Sequence, residues 1–436
     1  MALNPSVMQA VEKLGYRVTV GDVASQAGLE IVVAEQGLLA LASAAGGHLQ
    51  VAESGEVAYL FPRNFRDILR NQSWRLRWQE TWKKIWRILF YLIRVSFGIV
   101  LIASIILIFL SIAIIFIVIT SKGDGDSGSS DNSGDFFSGL WVGSDWIWIF
   151  TPSYGDDYST PRRKARSGQP NQLNFLEAVF SFLFGDGDPN TDLETKRWRT
   201  IGTVIRNNRG AVIAEQISPY LDDVGQSFQQ EYEDYMLPVL SRFNGRPEVS
   251  PEGQLVYHFP ELQVKAAETQ STPVAAYLRE SSWKFSQASS GQILGAIGLG
   301  GLNLVGALML GKLLMGSTIA TDIGGLVAFV AGIYWVLLVY GIGFLSIPLI
   351  RYFWVQQRNK RIEGRNQQRQ QRAVDLNEAM PQLQPKLAFA QQFALEQVVS
   401  EADLAYTTEK DLTEQELAQA DRIDAEWQQR LEQSGS

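Results

Sequence analysis

The chain has 436 residues, 46% of them hydrophobic, so it is long enough for several domains and too apolar for disorder to be its main state. It contains no cysteine and only two histidines, which excludes disulfides, thiolate metal sites and thiol nucleophiles. The formal net charge of −8 argues against a chain that binds polyanions along its whole length.

Residues 1–62 have the pattern of a small winged-helix-like domain. Asn4 followed by Pro5 predicts a helix start, and apolar residues recur at helical spacing up to Gly15. A short strand and two more helices follow, and then a β-hairpin whose alternating residues include Tyr59 and Phe61. Helix, strand, helix, helix, hairpin is the order of a winged-helix fold, which often binds DNA.

Residues 63–94 predict a basic helix that lies at a membrane interface. Tryptophans recur every four residues along one face, with basic residues between them: Trp74, Trp78, Trp82 and Trp86, with Arg75, Arg77, Lys83, Lys84 and Arg87. Tryptophan prefers the headgroup zone, and basic side chains favour anionic lipids. The alternative, a stripe buried in a core, is disfavoured because the intervening residues are so basic.

Three stretches predict transmembrane helices. Residues 95–121, 285–311 and 323–350 carry no charged side chain, and each exceeds the roughly 20 residues that cross a bilayer core. The second stretch is rich in glycine, and small residues let helices approach closely in lipid. The residues expected to serve helix packing there are Gly291, Gly295, Gly298 and Asn303.

Positive charge near the spans predicts their orientation. The basic flanks at 63–94 and 351–372 are expected on the cytoplasmic or stromal side, but so is a basic cluster at 162–166. Three spans cannot place all three flanks on one side. Within the Gly/Asp-rich loop and aromatic stretch at 122–172, residues 136–161 are therefore predicted to cross a fourth time or to re-enter. The alternative is a three-span protein with its termini on opposite sides.

Residues 173–196 read as an aromatic amphipathic stretch followed by a turn. Asp186, Asp188, Asn190 and Asp192 alternate there as in a calcium loop. An EF-hand would need glycine and glutamate where this chain has Thr191 and Arg197, so a turn is the prediction, and no metal site.

Residues 197–264 repeat the first domain. The segment GHLQVAESGEVAYLFP recurs as GRPEVSPEGQLVYHFP at a constant offset of 198, so that Tyr257 and Phe259 correspond to Tyr59 and Phe61. Similarity over that length predicts two copies of one unit, and therefore a second winged-helix-like domain.

The charges of the two copies argue against DNA as the partner. Neither Val18–Pro62 nor Gly210–Ser241 contains lysine or arginine, whereas phosphate contacts by those residues supply most non-specific affinity for nucleic acid. The leading prediction is that the modules bind a basic protein partner. The alternative is that they are structural modules that bind no partner. The acids expected to face the partner are Glu30, Glu35, Glu231, Glu233 and Asp234. A membrane-tethered nucleic-acid regulator would instead need a basic face assembled from Arg206, Arg209, Arg242 and Arg246.

Residues 351–436 read as a helical tail, first basic and then, from Glu396, acidic. We hypothesise that the acidic part folds over the basic part that precedes it. A channel or transporter is a third hypothesis, which the uncharged spans disfavour.

Five segments, YLFPRNFRDIL, FSFLFGDGDPN, YMLPVLSRFNGRPEV, GLGGLNL and IPLIRYF, make the chain resemble a family of multi-span membrane proteins shared by cyanobacteria and chloroplasts. Plant members of that family are sometimes called iron–sulfur cluster biosynthesis family proteins. This chain has no cysteine with which to hold a cluster through thiolates. The resemblance implies a photosynthetic membrane and no mechanism.

The sequence thus predicts an α+β membrane protein with two winged-helix-like domains and a small bundle of three spans, plus a fourth or re-entrant segment. We expect a non-enzymatic scaffold or adaptor without catalytic residues, cofactor or metal, which assists assembly or organisation of a photosynthetic-membrane complex. The expected partners are membrane lipid, a membrane or soluble protein, and a second copy of the chain. The expected location is a cyanobacterial thylakoid or plasma membrane, with the winged-helix-like domains on the cytoplasmic side.

Overall fold

The computed structural model describes residues 3–72, 74–122, 174–225, 232–268, 271–315, 322–400 and 404–415, with a few single positions beyond. The chain forms two compact units. The α+β unit comprises residues 1–79, 189–281 and 361–436, and the apolar-helix unit comprises residues 80–188 and 282–360. Mixed helix and sheet with three apolar helices agrees with the predicted class at that level. The predicted crossing at 136–161 lies outside the described residues.

The first module of the α+β unit contains three helices and three strands in the predicted order. They are α1 (Pro5–Lys13), β1 (Arg17–Thr19), α2 (Val20–Ala27), α3 (Ile31–Ala45), β2 (His48–Ala52) and β3 (Val57–Leu60). Asn4 begins α1 by accepting a hydrogen bond from the Ser6 N–H at 3.0 Å. Thr19 and Asp22 form a capping box that begins α2, and Gly46 ends α3 in the left-handed conformation. Local capping signals therefore set these helix ends.

The second module has the same order of elements. It contains α7 (Leu193–Asn207), β4 (Ala211–Val212), α8 (Ala214–Ile217), α9 (Leu237–Phe243), β5 (Arg246–Val249) and β6 (Leu255–His258), numbered after α4 (Phe65–Gln72), α5 (Trp74–Lys122) and α6 (Phe175–Phe184). In each module the first strand pairs with the third and the third with the second. The hairpin register is also the same at the offset of 198, because Leu49 lies opposite Tyr59 and Pro247 opposite Tyr257.

The two modules share one hydrophobic core. Helix α2 packs against α7, where a Cβ added to Gly202 would lie only 3.0 Å from the Ser25 Cα. The core runs without interruption from Val11 and Leu38 in the first module to Phe243 and Phe259 in the second. The two modules therefore form a single folded body and are not independent domains joined by a linker.

The C-terminal segment completes this unit. After α10 (Pro260–Gln263), β7 (Val264–Lys265), α11 (Ser290–Leu314), α12 (Gly325–Gly332) and α13 (Tyr334–Gln391) come β8 (Gln397–Val398) and β9 (Leu404–Thr407). Strand β9 pairs antiparallel with β2 and extends the first module's sheet, and β8 pairs parallel with β7. The tail predicted to be helical is helical up to Gln391 and again at 412–415, and it contains two strands between them, because the β-prone segment LAYT finds an open sheet edge.

The corresponding edge in the second module is β5. The Thr408 N–H donates to the Leu49 carbonyl at 3.0 Å, so Leu49 directs its backbone away from β3 and towards the tail. Pro247 is the residue equivalent to Leu49, and proline has no backbone N–H that could donate to an added strand. Proline therefore disfavours strand addition at the β5 edge, whereas in the first module the equivalent edge is paired with β9.

Among the described residues, three helices are long and apolar enough to cross a membrane, and their apolar parts lie in the apolar-helix unit. These are Lys84–Ser121, Ser290–Leu314 and Tyr334–Gln391, and no more than a third of each apolar window is buried. The predicted span 323–350 is divided at Ile333 into α12 and the start of α13. Helix α6 packs against α5 and α11 through Val179, Phe182 and Leu183. A fourth candidate would be α2 with α3, which are bent by 113° and contribute to the core of the α+β unit.

Candidate functional site

Two acids that the sequence assigned to partner binding in the first module lie at α3: Glu35 is on its outward face, and Glu30 precedes the helix and lies 3.9 Å from Arg242. Glu30 and Glu35 are both exposed, and α3 contains no lysine or arginine. Val32 and Leu39 lie on the same side of the helix and are 60% and 45% exposed. The face therefore combines negative charge with aliphatic surface, which suits a basic amphipathic partner.

The acids of the second module have different surroundings. Glu233 is largely buried, and its carboxylate accepts hydrogen bonds from the Tyr257 hydroxyl at 2.8 Å and from Lys386 Nζ at 2.7 Å. Lys386 also donates to both carboxylate oxygens of Glu215, at 2.8 and 2.9 Å. Asp234 is exposed, and Glu231 lies outside the described residues. Glu233 is thus bound within the chain.

A second cluster of charges joins α13 to Glu280 and to Asp222 of the second module. Arg365 contacts both oxygens of the Glu280 carboxylate at 2.8 and 2.6 Å, and Arg369 Nη2 contacts it at 2.7 Å. Arg369 is 1% exposed and also pairs with Asp222. The sequence predicted this basic stretch as a membrane flank that the acidic tail from Glu396 could cover. Its arginines instead pair with Glu280 and Asp222, which precede the stretch in the sequence.

Electrostatics reinforce both clusters. Burial by itself would raise the pKa of Glu280, but the hydrogen bonds from Arg365 and Arg369 outweigh it and lower that pKa. Burial, followed by the charge of Glu233, raises the pKa of Tyr257 and of Tyr235. Both tyrosines consequently stay neutral, Tyr257 as a hydrogen-bond donor to the Glu233 carboxylate, and Glu280 stays ionised beside its arginines.

The arginines of the nucleic-acid alternative lie at the junction of the two modules and on its surface. Arg206 donates to Asp22 at 2.5 Å and to the Ser25 hydroxyl at 3.0 Å. Arg242 donates to the Gly28 carbonyl at 2.9 Å and lies 4.5 Å from the centre of the Trp198 ring. Arg209 and Arg246 are exposed. Two of the four arginines thus join one module to the other.

The tryptophan stripe belongs to a helix that continues into the first apolar span. Trp78, Trp82 and Trp86 are 54%, 55% and 56% exposed, and Lys84 and Arg87 are exposed between them. The side chains of Trp74, Arg75, Arg77 and Lys83 lie outside the described residues. Large exposed indole rings beside basic groups suit a headgroup zone.

The glycines of α11 fall on two faces. A Cβ added to Gly300 would lie 2.5 Å from Phe344, and one added to Gly306 would lie 3.0 Å from Ile108. Gly291 and Gly298 have nothing within 4 Å, and at Gly295 the nearest atom, on Phe175, is at 3.4 Å. Among the described residues, neighbouring helices therefore pack closely against Gly300 and Gly306. The sequence could not show which face of α11 the neighbouring helices occupy.

Asn303 lies at the centre of the apolar-helix unit. It is fully buried, and its Nδ2 donates to the Ser104 hydroxyl of α5 at 2.6 Å. The Asn303 Oδ1 has no hydrogen-bond partner among the described residues. This bond joins two apolar helices.

No group of three metal-ligating side chains occurs within the described part of the chain. The aspartates of the calcium-like loop contact cations of the protein: Asp186 accepts from Arg94 at 3.0 Å, and Asp188 lies 3.7 Å from Arg358. The loop acids therefore serve as ion-pair partners in the apolar-helix unit.

Sequence reasoning did not find Glu215, Glu280 and Lys386. These residues pair with partners 85 to 171 positions away in the chain. One local signal was present, since Arg361, Arg365 and Arg369 recur every four residues and so share a helix face.

Comparison with known proteins identifies one extended relative. The chain is 36% identical over 423 residues to a protein of Arabidopsis thaliana named "Uncharacterized protein At5g03900, chloroplastic". The aligned region covers 94% of this chain and 79% of the relative. No protein-family model and no solved structure matches the chain. The name of that relative places it in the chloroplast and contains nothing about iron–sulfur clusters.

Proposed function

Because the chain belongs to the same family as this chloroplastic protein, we propose that it is a non-enzymatic integral membrane scaffold or adaptor. It assists the assembly or organisation of a protein complex in a photosynthetic membrane. Its two modules are winged-helix-like domains that derive from one repeated unit, and they work on the cytoplasmic side of a thylakoid or plasma membrane. The first module binds a basic segment of the client.

The winged-helix assignment is supported by strand order and register. Both modules place the first strand beside the third, and both hairpins keep the same pairs at the offset of 198. A glycine before each hairpin makes room for the same aromatic ring, Gly47 for Phe61 and Gly245 for Phe259. These parallels extend the sequence repeat to its backbone geometry.

The observation that carries the proposal is that the second module already binds a basic helix of the same chain. Arg365 and Arg369 of α13 contact Glu280, which follows the module in the sequence, and Arg369 also pairs with Asp222. Arg372 donates to the Leu221 carbonyl at 2.9 Å, and Lys386 donates to Glu215 and Glu233. The first module offers Glu35 with the exposed side chains of Val32 and Leu39 on α3, and Glu30, which lies 3.9 Å from Arg242. A basic amphipathic helix of a client would find complementary chemistry there.

The test is affinity purification of the full chain from native membranes in mild detergent, with nuclease treatment and mass spectrometry of stoichiometric partners. We expect subunits of one membrane complex. The variant Glu35→Lys should lose them, because the change replaces attraction by repulsion. Glu30 is left unchanged because it lies 3.9 Å from Arg242, which joins the two modules. The matched control is Glu252→Lys, which makes the same change of charge at another exposed acid. Retention of every partner by the α3 variant would contradict the proposal.

A further inference from the structure

A polar cavity of about 320 Å³ lies within the α+β unit where the two modules meet. Its volume falls in the range of small-molecule sites, which often lie at junctions between domains. Charged and amide side chains dominate its walls: Asp22, Arg206, Asn207, Arg209, Lys265 and Glu396. The cavity is therefore built for a polar occupant.

One ion pair of the cavity is rigidly held. Asp22 is 6% exposed and accepts from Arg206 at 2.5 Å, from the Thr19 N–H at 2.9 Å and from the Ala266 N–H at 3.0 Å. Arg206 donates in addition to the Ser25 hydroxyl at 3.0 Å. Because both members of the pair have further hydrogen-bond partners, the pair forms a rigid part of the cavity wall.

The second ion pair is held by a single contact. Lys265 is 6% exposed, and its ammonium group donates to Glu396 Oε1 at 2.6 Å. Within the described residues this uses one of its three donors. Glu396 is one-third exposed and comes from the segment between α13 and β8. The carboxylate of Glu396 can therefore leave Lys265 without disturbing the rest of the cavity.

A third cation stands at the rim. Arg209 is exposed, and its guanidinium has no ion-pair partner in the part of the chain that the structure describes. Its backbone has a φ of +53°, and its carbonyl accepts from the Leu395 N–H at 3.1 Å and from Gln263 at 3.3 Å. Neighbouring segments thus hold Arg209 in a conformation that non-glycine residues seldom adopt. The cavity contains three cations and two carboxylates.

We propose that this cavity binds a small organic oxyanion, a phosphate ester or a short dicarboxylate, through Lys265 and Arg209. The ligand replaces Glu396 at the Lys265 ammonium. With Glu396 displaced, the cavity has an excess of two positive charges, which matches a dianion. The wall formed by Asp22 would repel a long polyanion, so a small ligand fits better than a nucleic-acid backbone.

The experiment is calorimetric titration of the full chain in detergent at neutral pH and constant ionic strength. The probes are inorganic phosphate and succinate, which separate the two oxyanion classes, with chloride as the blank. We expect saturable binding of one probe at one site per chain. Arg209→Gln should weaken it at least about tenfold, since a charge-assisted bond is lost. Glu396→Gln should tighten it, because the competing carboxylate becomes neutral.

Arg246→Gln is the matched control, since it removes an exposed positive charge from β5 outside the cavity and should leave the affinity unchanged. Both test residues are at least partly exposed, so neither substitution endangers folding. The proposal is overturned if neither probe binds saturably, or if Arg209→Gln and Glu396→Gln leave the affinity as it was. Displacement of the probe by a short DNA duplex, with the same dependence on Arg209, would assign the cavity to nucleic acid instead.

Discussion

Replacing Glu280 by leucine should release residues 361–391 of α13 from the second module. The Glu280 carboxylate is 5% exposed and is contacted by Arg365 and Arg369. Arg365 is 43% exposed and can turn to water, but Arg369 is 1% exposed and would keep only Asp222 and the Leu278 carbonyl. The buried charge of Arg369 would then have one carboxylate partner, Asp222, in place of two.

The size of the effect follows from that geometry. Removing one partner of a buried ion pair costs about 3–5 kcal/mol. Because Asp222 remains beside Arg369, we expect the lower end, about 3 kcal/mol, which corresponds to roughly a hundredfold increase in local opening. Hydrogen exchange of the full chain in detergent, followed by mass spectrometry, measures this opening directly. Peptides of residues 361–391 should lose protection by that factor, while those of the apolar-helix unit serve as the internal control.

The double variant Glu280→Leu with Arg369→Met tests whether the buried charge is the cause. Well-packed apolar residues in place of a buried pair are often neutral or stabilising, so protection should return towards that of the unmodified chain. The reasoning is refuted if Glu280→Leu alone leaves exchange at 361–391 unchanged, or if the double variant opens as readily as the single one.

The lowered pKa of Glu280 means that its contribution to stability is complete above its ordinary pKa of 4.5 and is lost as the pH falls below that value; Glu280→Gln should flatten the acid dependence of exchange at 361–391. Gly300→Val should lower the thermal stability of the chain in detergent by about 1–3 kcal/mol through overpacking against Phe344, whereas Gly298→Val, which has open space, should have almost no effect; equal losses would contradict this packing. A double-mutant cycle of Asn303→Leu with Ser104→Ala should give a coupling of about 0.6–1.7 kcal/mol in unfolding experiments, and zero coupling would remove this bond from the account.

Several features followed from local pattern. The uncharged stretches predicted three apolar helices because hydrocarbon burial needs only length and composition. Asn4, Thr19 and Gly46 marked helix ends because capping is satisfied by neighbouring backbone groups. The alternation around Tyr59 predicted a hairpin, since a strand that is buried on one face repeats every two residues.

Tertiary structure decided how the charges are used. Composition marked Glu30 and Glu233 as equivalent surface acids, yet Glu233 pairs with Lys386, 153 residues further along the chain. The same holds for the glycines, because Gly298 and Gly300 differ only in which side of α11 the neighbouring helices occupy. Such pairings depend on which distant segments meet.

By itself, the sequence determined the apolar helices and the predominance of acids in the modules, because each depends on residues that are close together in the chain. The tertiary structure alone decided that a basic stretch beside a span binds Glu280 and Asp222, and that residues 404–407 of the tail cover the first module's sheet edge. The physical reason is that an ion pair or a strand pairing is stable only with a partner in contact. Folding brings such partners together from 85 or more residues away.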